Sequence, residues 1–226
     1  MLQFVKWPRT ATWYAMKNNS VHFVGIGGIG VSALARWYLS EGWRISGSDI
    51  APSEITKTLS QEGIPIVIGP HRPENIPDGI KLVVYSAAAK KNKEIAAAKR
   101  KKIKTMSYAE ALGELTKKNL TIAVAGSHGK STTTALVALI LIEAGFDPTV
   151  IIGTKLKEFT HHSRWQEAWL SSGRSVGSNF RKGKSSILVI EADEWSGSFW
   201  NYRPSISIVT NIDKEHLDFY KTYGRV

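Results

Sequence analysis

The chain has 226 residues, 42% of them apolar, no cysteine and a formal net charge of +11. That length can hold one large folded domain or two modest ones, and the lack of cysteine excludes disulfides, thiol nucleophiles and thiolate metal sites. No apolar run approaches the roughly 20 residues of a membrane span, and Lys6, Pro8, Arg9 and Lys17 break any secretory pattern, so the sequence reads as cytoplasmic.

Residues 1–20 are aromatic and aperiodic, and read as an N-terminal extension, with Met16 as an alternative start. From Val21 the pattern alternates. Strands are expected at Val21–Gly25, Trp43–Ser46, Pro65–Ile68 and Leu82–Tyr85, and helices at Gly30–Glu41, Ser53–Gln61, Asn92–Lys101 and Tyr108–Thr116. A polar joint at Thr116-Lys117-Lys118-Asn119 places a domain boundary near residue 118, giving domains 21–117 and 118–226. The second domain opens with a strand at Leu120–Ala125 and an apolar helix at Thr134–Ala144. Further strands are expected at Thr149–Ile152, Ile187–Ile190 and Ile206–Thr210, and residues 158–184 read as a polar surface loop. This alternation implies an α/β protein: a Rossmann-like parallel-sheet domain, then a phosphate-loop α/β domain. The latter ends at Lys221–Val226 without a closing element, so the expectation is an incomplete domain and a fragment.

The densest basic run, Lys99-Arg100-Lys101-Lys102, ends an alanine-rich helix and reads as a solvated helix end. No nucleic acid or membrane partner is expected. Scattered positive charge instead suits steering of polyanionic small molecules.

Three stretches carry chemistry. Gly25-Ile26-Gly27-Gly28-Ile29-Gly30 is a Gly-x-Gly-x-x-Gly turn between strand and helix, with Asp49 near the end of the next strand. Such glycines let a diphosphate approach, and the acid takes a ribose hydroxyl; any diphosphate-bearing nucleotide fits, so NAD is not singled out. Gly126-Ser127-His128-Gly129-Lys130-Ser131-Thr132 joins an apolar strand to an apolar helix, as a triphosphate cradle requires. Backbone N–H groups would face the phosphates, Lys130 would reach the outer ones, and a hydroxyl would bind Mg²⁺. Its Gly-x-x-Gly-Lys-Ser spacing is two residues shorter than the usual pattern. Glu191-Ala192-Asp193-Glu194 follows a buried strand, where a carboxylate can serve magnesium, and Glu191 is the chosen ligand. His216 reads either as a metal ligand or as a surface histidine. His22, His71, His128, His161 and His162 carry less weight, and the last two lie in the polar loop, read as solvated.

In series these motifs resemble the Mur ligases. The resemblance runs through the first glycine turn, Ser46-Gly47-Ser48-Asp49, His71-Arg72-Pro73-Glu74-Asn75, Tyr85-Ser86-Ala87-Ala88 and the phosphate loop. It continues through Gly177-Ser178-Asn179, Glu191-Ala192-Asp193-Glu194, Ser198-Phe199 and Ile208-Val209-Thr210-Asn211-Ile212 to His216-Leu217-Asp218, and covers nearly all of 21–223. It implies a first domain holding UDP-N-acetylmuramate at Gly25, Gly27, Gly28, Ile29, Gly30, Asp49, His71 and Ser86. ATP would lie on Gly126 to Thr132, with Ser131 and Glu191 sharing one Mg²⁺, His216 serving a second near the muramoyl carboxylate, and Lys130, Glu191 and His216 as catalytic residues. The implied reaction activates the lactoyl carboxylate as an acyl phosphate, which the amine of L-alanine then attacks. Attachment of a preformed peptide to the same sugar nucleotide, a non-catalytic nucleotide-binding fragment, and an NAD-dependent oxidoreductase are the alternatives; the second phosphate loop argues against the last. Departures from the family pattern are Ser131 for Thr, Ser196 for Asp, an insertion at 160–176, and the absence of a C-terminal domain. Oligomeric state is left open.

Overall fold

The computed structural model describes residues 19–89, 92–159 and 177–214, so the expected extension (up to residue 18) and the expected insertion at 160–176 lie outside it. The side chain of Ser196 is also outside the described set. By its internal contacts the chain divides into Met1–Tyr108 and Ala109–Val226.

The first unit contains β1 (Ser20–Val24), α1 (Ile29–Ser40), β2 (Arg44–Asp49), α2 (Glu54–Gln61), β3 (Ile66–Ile68), β4 (Leu82–Tyr85), α3 (Lys93–Arg100) and β5 (Lys104–Ser107). All strand pairs are parallel, in the order β3-β2-β1-β4-β5. β1 is buried at every position, as a central parallel strand covered on both faces must be. α1 packs most of its circumference inward, and buried Arg36 is neutralised by Glu62 at the end of α2, with Nε 2.9 Å from Oε2 and Nη2 2.9 Å from Oε1. α2 begins with a capping box, Ser53 Oγ accepting from Thr56 N–H and Thr56 Oγ1 accepting from Ser53 N–H. α3 is capped by Asn92, whose Oδ1 accepts from Ile95 N–H.

Ser20 belongs to β1 rather than to an extension, and β2 runs on from the expected Ser46 to Asp49. β5 was not legible as a strand because Lys-Thr-Met-Ser has no apolar alternation. It is placed by its ladder with β4, from Leu82↔Lys104 to Tyr85↔Ser107.

The second unit takes in nearly all of α4 (Tyr108–Thr116), then β6 (Leu120–Ala125), α5 (Lys130–Glu143), β7 (Thr149–Leu156), β8 (Ser178–Arg181), β9 (Ile187–Glu191) and β10 (Ile206–Val209). By these internal contacts α4 groups with the second sheet. A Cβ on Gly113 would lie 2.6 Å from the Asn201 carbonyl oxygen, and Thr116 Oγ1 accepts from Arg203 N–H at 2.9 Å, so α4 is packed on its own unit. The sheet order is β10-β6-β9-β7-β8, with β8 antiparallel to β7 and the other pairs parallel. β8 corrects part of the expected 158–184 loop: wholly buried Phe180 anchors it, and Arg181 reaches Asp147 and the Pro148 carbonyl. Ile122, Val150, Ile152, Val189, Phe159 and Ala138 form the core under α5.

Candidate functional site

Each unit carries a glycine turn where a central parallel strand meets a helix, the position at which open α/β sheets take ligands. In the first, β1 ends at Val24 and Gly25 adopts φ +76°, a left-handed value. A Cβ there would lie 2.6 Å from Ser86 Oγ, so Ser86 sits directly against the turn. The end of β2 shapes the rest: Gly25 and Ile26 N–H donate to the Ser48 carbonyl at 2.8 and 3.1 Å, and Gly27 N–H donates to Asp49 Oδ2 at 2.7 Å. Gly28 N–H returns to the Gly25 carbonyl at 3.2 Å. These four N–H groups are thus spent inside the turn, and a diphosphate would be met by the N-terminal end of α1 beyond it. Asp49, expected on a ribose, holds the turn with one oxygen; an ionised carboxylate retains further acceptor positions.

Behind this turn lies a residue that the sequence did not single out. Glu94, in the first turn of α3, is fully buried. Its Oε2 accepts from Ser48 Oγ at 2.6 Å and lies 3.3 Å from His22 Nε2. Its Oε1 accepts from Asn75 Nδ2 at 2.6 Å and lies 3.0 Å from His71 Nδ1. His22 Nδ1 is 2.9 Å from Ser46 Oγ. His22 is therefore a wholly buried network residue, and His71, whose side chain is 17% exposed, is the member nearest solvent. Burial alone would raise the Glu94 pKa, but the hydrogen bonds from His22, Ser48 and Asn75 and the charge of His22 outweigh it and bring it to about 2.

In the second turn, Gly126 (φ +131°) and Gly129 (φ +79°) flank Ser127 and His128, and Gly129 caps α5, which starts at Lys130 instead of at the expected Thr134. A Cβ on Gly126 would collide with Thr210 Oγ1 and come 2.8 Å from the Asn211 carbonyl. The loop amides expected to face phosphate are in part held by the segment after β10. Ser127 N–H donates to the Asn211 carbonyl at 3.1 Å and His128 N–H to Asn211 Oδ1 at 2.9 Å. Asn211 Nδ2 and Thr210 Oγ1 both donate to the His128 carbonyl, at 2.9 and 2.6 Å, and Asp213 N–H donates to Ser127 Oγ at 2.9 Å. Asp213 is held below the usual carboxylate range, chiefly by the Lys214 N–H and then by His128.

Lys130 folds back over the loop. Its Nζ donates to the Gly126 and Ser127 carbonyls at 2.6 and 3.2 Å and to buried Glu194 Oε1 at 3.0 Å. Three acceptors satisfy its three donors, so contact with phosphate requires exchange of partners. Glu191 ends β9 in register with Val124 of β6, and its Oε2 accepts from Gly153 N–H of β7. Ser131, half-buried, and Thr132, exposed, occupy the first turn of α5. His216 lies outside the described residues. The sequence reading passed over Glu194, Thr210 and Asn211 as site residues; the signal for the last two was their place just after a strand that pairs with β6.

Two family models match the chain: the Mur ligase family catalytic domain over residues 20–119 and the Mur ligase middle domain over 124–226. A UDP-N-acetylmuramate–L-alanine ligase of Aquifex aeolicus is 48% identical over 206 residues, which cover 91% of this chain and 41% of that protein. One from Myxococcus xanthus is 44% identical over 200 residues, covering 88% and 39%. The solved UDP-N-acetylmuramate–alanine ligase (MurC) of Thermotoga maritima superposes with a TM-score of 0.77 at 33% identity, over 91% of this chain and 44% of that one. The chain thus spans about two fifths of the length of these curated relatives. Two glycine turns on two sheets, matched in order by both family models, place this chain in the Mur ligase family.

Proposed function

We propose that this chain supplies the two nucleotide-phosphate sites of an ATP-dependent ligase that joins L-alanine to the lactoyl carboxylate of UDP-N-acetylmuramate, in peptidoglycan precursor synthesis. The observation that carries this is the pairing of two glycine turns, each at the carboxyl end of a parallel strand of its own sheet, in one chain. A dehydrogenase needs one such site; a ligase that spends ATP on a sugar nucleotide needs both. The names borne by the relatives supply the substrates, and the activity proposed is that of their full length.

In this reading the first turn, with Asp49, His71 and Ser86 around it, takes the UDP group. Lys130 and the α5 amides take the ATP phosphates. A carboxylate oxygen attacks the γ-phosphorus, the bond to ADP breaks, and the amine of L-alanine then attacks the acyl carbon, releasing inorganic phosphate. No protein nucleophile is needed; the residues position anions and neutralise them. Ser131 and Glu191 offer a hydroxyl and a carboxylate at the carboxyl edge of the second sheet, hard oxygen donors that fit magnesium, with His216 proposed for a second magnesium near the muramoyl carboxylate. Bound there, magnesium neutralises phosphate charge. Glu191 would have to leave Gly153 N–H or use its other oxygen. Among the described residues no helix is long and apolar enough to cross a membrane, and the reading places the reaction in the cytoplasm.

Calorimetric titration with UDP-N-acetylmuramate, with NAD as comparison, tests the proposal. Binding of the sugar nucleotide and not of NAD is expected; binding of NAD alone overturns it.

A further inference from the structure

The buried carboxylate behind the first turn does more than fill space. A carboxylate only accepts hydrogen bonds, so each ring nitrogen facing Glu94 carries its hydrogen: Nε2 on His22 and Nδ1 on His71. His22 Nδ1 meets Ser46 Oγ at 2.9 Å, which closes the inner half of the network. On the outer half, both hydrogen bonds that the His71 ring makes among the described residues, to Glu94 and at 3.5 Å to Ser48 Oγ, use Nδ1. Nε2 remains.

The same network reaches the turn itself. Ser48 gives its hydroxyl to Glu94 and its carbonyl to the N–H groups of Gly25 and Ile26. The next residue, Asp49, holds Gly27 N–H with its side chain and Gly69 N–H with its carbonyl, the latter at 2.9 Å, which brings the chain leading to His71 onto the end of β2. One carboxylate therefore fixes both the strand end that shapes the turn and the histidine beside it. Replacing a whole buried ionic cluster by well-packed apolar groups is commonly neutral or stabilising, so stability alone is a poor reason to keep one here.

We infer that Glu94 is a positioning residue of the sugar-nucleotide site: it fixes the His71 ring with hydrogen on Nδ1 and so leaves Nε2 as the nitrogen the ligand meets. This rests on the proposed reading of the first unit as the UDP-N-acetylmuramate site. Glu94 itself touches no substrate in this account.

The test is calorimetric titration of the chain with UDP-N-acetylmuramate for the parent, His71→Ala, Glu94→Gln and the double variant. Glu94→Gln keeps the shape of the side chain but turns an amide donor toward groups that are themselves donors. Each single variant is expected to weaken binding by about tenfold or more, the loss of one hydrogen bond to a charged or fixed group. Because Glu94 acts through His71, the double variant should lose clearly less than the product of the single losses. Parent affinity in Glu94→Gln beside weakened His71→Ala, or losses that multiply, overturns the inference and leaves the sugar-nucleotide reading standing. No binding by the parent overturns that reading and the inference with it. Should Glu94→Gln fail to fold, ¹⁵N chemical shifts of the parent at about pH 8.5, where imidazole is neutral, decide instead. Hydrogen on Nδ1 of His71, identified by the signal missing in His71→Ala, supports the inference; hydrogen on Nε2 overturns it.

Discussion

The two glycine turns follow the same plan and are held in opposite ways. The first is fixed from within its own sheet, by Ser48 and Asp49 of β2, with a wholly buried carboxylate behind them. The second is fixed from a segment that comes after the edge strand β10, by Thr210 and Asn211, around a loop whose His128 and Gly129 are exposed. Strand β10 itself leaves Ile206 and Val209 exposed, whereas β1 is buried throughout. The lesson is one of preorganisation. The first turn is set once its domain folds, while the second depends on local contacts that solvent and ligand can exchange.

The comparison breaks most severely at Glu94. Glu94→Leu deprives His22, Ser48, His71 and Asn75 of their acceptor together and should lower stability by about 3–5 kcal/mol in urea unfolding. The parent should also show the charge in its acid limb. The folded pKa of Glu94 is about 2 against an ordinary 4.5, so its contribution is complete above pH 4.5 and is lost as pH falls toward 2. Glu94→Gln should make that limb shallower; an unchanged acid profile would mean that the carboxylate is not what holds the network.

Lys130→Ala comes next, and should separate the two sites. ATP affinity is expected to fall by about a hundredfold, since the variant loses a charged donor and leaves buried Glu194 without its ion pair. UDP-N-acetylmuramate binding should stay within about twofold, because Lys130 belongs to the second unit's turn and not to the first. Loss of both ligands would deny that there are two sites.

The sequence disclosed the scaffold well because glycine turns and buried parallel strands have local causes: Val21-His22-Phe23-Val24 before Gly25, and Leu120 to Ala125 before Gly126, are visible without tertiary context. What it hid was set by partners distant along the chain. β5 is polar and exists by pairing with β4, and β8 is short and anchored by Phe180 and Arg181. Glu94 looks like any acidic residue in a first helical turn, where the helix dipole favours it for an unrelated reason. Only the fold brings it to His22, Ser48, His71 and Asn75. Nor does the run Glu191-Ala192-Asp193-Glu194 disclose which acid meets Lys130; the fold brings Glu194 to it.

The smallest effects sharpen the comparison at the rim of the second turn. Asn211→Ala removes the acceptor for His128 N–H and one donor to the His128 carbonyl, while the Asn211 backbone still holds Ser127 N–H. A partial loss follows, about five- to tenfold in ATP affinity, with sugar-nucleotide binding untouched. Asp213→Asn tests the outermost contact, where Asp213 Oδ2 lies 3.5 Å from His128 Nε2 and both side chains are 62% exposed. Water and salt compete freely there, and the loop's contact with Asp213 that survives the change is a backbone one, Asp213 N–H to Ser127 Oγ. ATP affinity should therefore change by less than about twofold and show no added salt dependence. A larger loss would mean that the second turn, like the first, relies on a carboxylate to keep its shape.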